Sequence, residues 1–185
     1  MCEKDKFVPN IHTQKFEGYL SEVKNNSALL RFWFENDLLE FPMNVEMFHM
    51  DEDPLEQGKK ISFQLMFFQC GPIKIFKDKK EFNTDEVLCG FATESIIPSG
   101  TFSASSDEEE KNFQQNPSVI MNGIVNSVEK CTEGEEDTLF LEVICQGFRF
   151  TVSINEPENL SVEEGNIISG VFEAIGSPVH RDYSS

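Results

Sequence analysis

Two side chains two residues apart, Arg31 and Trp33, are the pair in this sequence best suited to binding chemistry. An indole can stack a base or another flat group, and a neighbouring guanidinium can pair a phosphate or a carboxylate. The same tryptophan would equally serve to cover the flank of a β-structure, since large aromatic side chains are mostly buried. Glu35, Asp37 and Glu40 surround the pair and weaken its attraction for a polyanion. A second cluster, His49, Asp51, Glu52 and Asp53, carries groups of the kind hard cations take. It lacks the Asp spacing and glycine of a calcium loop and has no second histidine at a ligand interval, so a solvated connection is the better reading.

The inventory for catalysis is poor. His12, His49 and His180 lie far apart, and there is no nucleophile elbow, glycine-rich phosphate loop or paired-histidine zinc motif. Cys2, Cys70, Cys89, Cys131 and Cys145 are odd in number and widely spaced. They signal neither a disulfide framework nor a zinc site, and free thiols in a reducing compartment are the simple reading. The expectation is a protein without enzymatic activity, cofactor or bound metal.

The elements that would position these groups are strands. In TLFLEVICQGFRFTVSI, from Thr138 to Ile154, Leu139, Leu141 and Val143 fall on one face of one strand. Phe148, Phe150, Val152 and Ile154 fall on one face of the next, the period of two of half-buried strands. Gln146-Gly147 between them supplies a residue tolerant of positive φ, as a two-residue hairpin turn requires. Leu30, Phe32 and Phe34, then Leu39, Phe41, Met43 and Val45, repeat the pattern near the start of the chain. Pro42 removes a ladder donor there and predicts an edge or a bulge. Lys60 to Phe68 reads as a fourth strand ended by Cys70-Gly71-Pro72, Ile73 to Phe76 as a short further strand, Lys77 to Glu81 as a turn, and Glu86 to Ile97 as a closing strand or a strand with a helical start.

Three blocks recur in one order. GYLSEV from Gly18 matches GIVNSV from Gly123, LRFWFENDLLEFPMNV from Leu30 matches the hairpin from Leu139, and LEQGKKIS from Leu55 matches VEEGNIIS from Val162. A duplication is expected. Residues 98–117, rich in serine and acidic groups and bounded by prolines, read as a linker between a first unit at 1–97 and a second at 118–185.

A strand containing glycine, a long hairpin, a polar connection and a glycine-led fourth strand resemble the OB-fold, a five-stranded Greek-key barrel. The chain as a whole resembles tandem OB-fold-like barrels of uncharacterised bacterial proteins. The fold expected is thus all-β, mainly antiparallel, with two repeated small OB-like barrels; an SH3-like barrel or one continuous sandwich is the alternative. The second repeat ends soon after Gly176-Ser177-Pro178 without a fifth strand, leaving an edge for the other repeat, the tail or another subunit to cover. Ligands of OB-folds lie across the second and third strands. The resemblance therefore implies a binding face at Arg31, Trp33, Leu38 and Glu40 in the first repeat and at Phe140, Glu142, Arg149 and Thr151 in the second.

Composition narrows the partner. The net charge is -18, with 11 basic against 17 acidic residues over 1–97 and 4 against 16 over the remainder. A polyanion meets repulsion within about 8 Å of such a surface at physiological salt. A protein partner contacted across an acidic surface is the expected function, with single-stranded nucleic acid around Trp33 as its rival and a homo-oligomer as a further option. No leader-like apolar region opens the sequence and no window approaches a membrane span, so a cytoplasmic location is expected.

Overall fold

A computed structural model describes residues 14–24, 27–34, 37–45, 57–88, 90–98, 117–133, 136–155 and 161–179; for 21–24, 27–34, 37–45, 132–133, 136–137 and 178 it describes the backbone alone. Among the described residues the strands are β1 Lys15–Lys24, β2 Ser27–Phe34, β3 Asp37–Val45, β4 Lys60–Phe76, β5 Ser95–Pro98, β6 Ser118–Glu133, β7 Glu136–Cys145, β8 Phe148–Asn155 and β9 Ile167–Pro178, with one short helix, α1 Lys79–Thr84. The fold is all-β, as expected.

All nine strands join one hydrogen-bonded sheet in the order β1-β2-β3-β9-β4-β8-β7-β6-β5, and β9 also pairs with β6. β6, β7, β8, β4 and β9 thereby close a five-stranded barrel. Its wall is antiparallel except between β4 and β8, where Met66, Phe67 and Phe68 run parallel to Thr151, Val152 and Ser153. The edge expected after Pro178 is covered by the other half of the chain, through β4. β1, β2 and β3 form a meander: β1 pairs with β4 from Lys60 to Gln64, and β3 meets β9 at Asn44 and Val45.

Strands before and after the expected linker thus share one sheet, and the described strands of 118–185 close their barrel through β4. The linker itself, apart from Pro98 and residue 117, lies outside the described residues. The closing strand expected over Glu86–Ile97 is corrected: only Ser95–Pro98 is extended, and it pairs with β6, from Ser95 opposite Asn122 to Pro98 opposite Val119. Lys77–Glu81 is not a plain turn: after Lys77 and Asp78 it runs into α1, which begins at Lys79. Asp78 caps it by accepting from the Glu81 N–H at 2.9 Å, while the Glu81 carboxylate reaches back to the Lys77 N–H at 2.7 Å. Nor does Cys70-Gly71-Pro72 end β4; it forms an irregularity between Gln69 and Ile73 inside a 17-residue strand. Pro42 sits opposite Leu29, on a strand whose other side pairs only at Asn44 and Val45, where a missing N–H is tolerated.

One core fills the sheet. Phe63, Leu65 and Phe67 of β4 alternate into it, with Val119, Met121 and Val125 of β6 and Leu139, Leu141 and Val143 of β7. Phe150 of β8 anchors its aromatic centre, stacked on Phe16 of β1 at 5.4 Å between ring centroids and edge-on to Phe67 at 5.1 Å. Such pairs add about 0.5–1.5 kcal/mol each beyond area burial. A smaller cluster of Phe76, Phe82 and Ile167 holds α1 against the outside of β4 and β9.

Candidate binding faces

On the second hairpin the alternation places Phe140, Glu142, Arg149 and Thr151 on the outer face, but the face is not the open platform expected. Thr151 is fully buried, Ser153 is buried and Phe140 is half-buried. Glu142 is buried too, and its carboxylate accepts from the Asn126 side-chain amide and from Arg149 Nη1 at 3.3 Å. The Arg149 guanidinium is exposed at its far side, yet its charge is already opposed by Glu142. Its backbone N–H is taken by the Gln14 side chain at 3.0 Å. Asn126 reaches Glu142 because β6 carries a bulge between Val125 and Ser127 that re-aims one residue. Sequence reading missed Asn126, since nothing in NGIVNSV marks which residue of the strand is extra.

The first half presents a different face. Tyr19 of β1 stands opposite Arg31 of β2 on one side and opposite Lys60 of β4 on the other. Arg31 in turn stands opposite Glu40, and Trp33 opposite Leu38, on β3. Directly paired residues share a face of a sheet, so the backbone register puts positions Tyr19, Lys60, Arg31, Trp33, Leu38 and Glu40 on one face of it. The side chains of Arg31, Trp33, Leu38 and Glu40 lie outside the described residues. Tyr19 is 47% exposed, and Lys60 Nζ pairs with Glu17 at 2.7 Å on the same surface. Tyr19 and Lys60 escaped the sequence reading because only the β1–β2 and β1–β4 registers bring them beside Arg31.

Among the described residues no group of three or more histidines, cysteines and acidic residues is placed to hold a metal ion. His12, His49 and His180, with Asp51, Glu52 and Asp53, lie outside the described residues. Cys145 is buried in the barrel, and burial, reinforced by the nearby Glu94 charge, pushes its thiol up to about 12. Cys70 is exposed and Cys131 half-exposed. Near α1, Lys74 Nζ lies 2.6 Å from the Asp85 carboxylate, and the hydrogen bond from Lys74 leads the effects that hold Asp85 below the usual carboxylate range.

Compared with known proteins, the chain matches no family model and no curated protein. Among the described residues no helix is long and apolar enough to cross a membrane.

Proposed function

We propose that the protein is a non-enzymatic binding protein of two repeated OB-like barrels, which contacts a protein partner in the cytoplasm through the outer surface of β1, β2 and β4. The observation that supports this reading most is Tyr19, nearly half exposed and in register with both Arg31 and Lys60. Tyrosine, tryptophan and arginine are the side chains that carry most of the binding energy at protein interfaces. Here the register gives all three positions one face of the sheet. The second hairpin is the weaker candidate, because its cation is matched by Glu142 and its aromatic is half-buried.

Single-stranded nucleic acid is the rival for the same surface, favoured by the placing of Lys60 and Arg31 on either side of Tyr19. The net charge of -18 opposes it. A photo-cross-linking residue placed at Tyr19 of the full chain distinguishes the two in lysate of the source cell. A discrete protein adduct that survives nuclease and is absent when the cross-linker replaces Val87 is the expected result. An adduct lost on nuclease treatment would transfer the surface to nucleic acid, and equal labelling from both positions would remove it as a specific site.

A further inference from the structure

The pairing of β4 with β9 repeats itself when the two strands are interchanged. Leu65 stands opposite Gly176 and Gln69 opposite Phe172; Met66 stands opposite Ile175 and Phe68 opposite Glu173; Phe67 and Ala174 stand opposite each other at the centre. An offset of 107 residues carries each of these pairs onto its counterpart, as expected for strands related by a two-fold axis through Phe67 and Ala174. The surroundings obey the same operation. β1 meets β4 with Gly18 opposite Ile61, and β6 meets β9 with Gly123 opposite Ile168. The bulges fall between Leu20 and Glu22 and between Val125 and Ser127.

A backbone clasp recurs at both bulges. The Gly58 N–H donates to the Leu20 carbonyl at 2.7 Å and the Leu20 N–H to that of Lys59 at 3.4 Å. The Gly165 N–H donates to the Val125 carbonyl at 2.8 Å and the Val125 N–H to that of Asn166 at 2.8 Å. Both glycines hold the left-handed conformation, with φ of 83° and 87°. Coincidence of bulge, clasp and positive φ at matched positions is more than strand periodicity can produce.

The fifth-strand position is where the halves depend on each other. In an OB-like order the third strand runs parallel to the fifth. β8 finds that parallel neighbour in β4, from the first half, and β3 finds it in β9, from the second. We propose that the chain is a fused dimer of half-units, each of which receives its fifth strand from the other, so that the surface each half presents fits a second half-unit of the same design. The halves are then each other's obligate partner, and the 99–116 connection raises their local concentration without being needed to hold them together.

The test uses the full chain. A protease site is placed within 99–116, the folded protein is nicked, and the pieces are passed over a sizing column under native conditions. Co-elution as one particle of the original size is expected; separation of the pieces, folded or not, overturns the proposal. A second measurement does not rely on the nick. Gly170 lies on β9 opposite Ile73, where an added Cβ would stand 2.7 Å from Ile73 Cγ2 and 3.1 Å from the Pro72 carbonyl. Gly170→Val should lower the unfolding midpoint by several degrees, with Gly170→Ala as the milder variant if valine prevents folding. Trp33, the single tryptophan, reports on the first half, and thiol labelling of buried Cys145 reports on the second. Equal shifts at both probes are expected. A shift at Cys145 with the Trp33 transition left in place would show two independent units and overturn the proposal.

Discussion

Glu142 decides the character of the second hairpin face. A carboxylate buried among strands is tolerated when donors reach it, and here Asn126 and Arg149 do. Removing it by Glu142→Ala leaves the Asn126 amide without that acceptor and should cost about 1–3 kcal/mol in a denaturant titration. Arg149→Ala removes a half-exposed partner from the same group and should cost no more than about 1 kcal/mol. Equal losses would mean that Glu142 is not the organising group. At Cys145 the folded-state pKa lies above the free-thiol value of 9.0, so its contribution to stability is complete below pH 9 and falls away as the pH rises toward 12. Peptide mapping after thiol labelling at neutral pH should find Cys70 modified in the native protein and Cys145 only after unfolding. For Asp85 the sign is opposite: its folded-state pKa is depressed, so its pairing with Lys74 stabilises above the unfolded value of 3.8 and is lost as the pH falls through the folded one. Asp85→Asn should flatten that acid limb of the stability curve.

At the scale of elements, β6 shows how a strand is shaped by what it omits. Gly123 faces the barrel interior where a Cβ would fall 2.3 Å from Val143 Cγ1 and 3.0 Å from the Ile144 carbonyl. Gly123→Ala should therefore destabilise by about 1–3 kcal/mol, measured as a lowered denaturation midpoint with unchanged slope. The α1 cap makes a smaller contribution; Asp78→Ala should cost about 1 kcal/mol. The inner faces of these elements were legible in the sequence. Leu139, Leu141, Val143, Phe150, Val152 and Ile154 all point into the core as their alternation predicts. The equivalence of β2 with β7 was not. Beyond its bulge the β1–β2 hairpin makes three pairs to its turn, whereas the β6–β7 hairpin makes seven. Leu30, opposite Leu20, therefore corresponds to Val143, opposite Val125, rather than to Leu139. A shift of four residues preserves the inside-outside alternation, so hydrophobic pattern cannot detect it.

For the whole molecule, the hairpins could be read from the chain, but the unbroken length of β4 and the partners of β4 and β9 could not. Lys60 to Phe76 has apolar residues enough for either side of a barrel, and no residue type encodes that one of its edges meets β1 and β8 in succession. The proposed binding face shared this fate: Arg31 and Trp33 stand out as residue types, while Tyr19 and Lys60 join them only through register. The central claim is that this surface takes a protein rather than a polyanion, against a molecular charge of -18. The most direct measurement is a titration of the full chain with a fluorescent single-stranded oligonucleotide at low and at physiological salt, following Trp33 emission. The account predicts no quenching and no binding at physiological salt. Saturable quenching that weakens steeply with added salt would contradict it and make the β1–β2–β4 surface a nucleic-acid site.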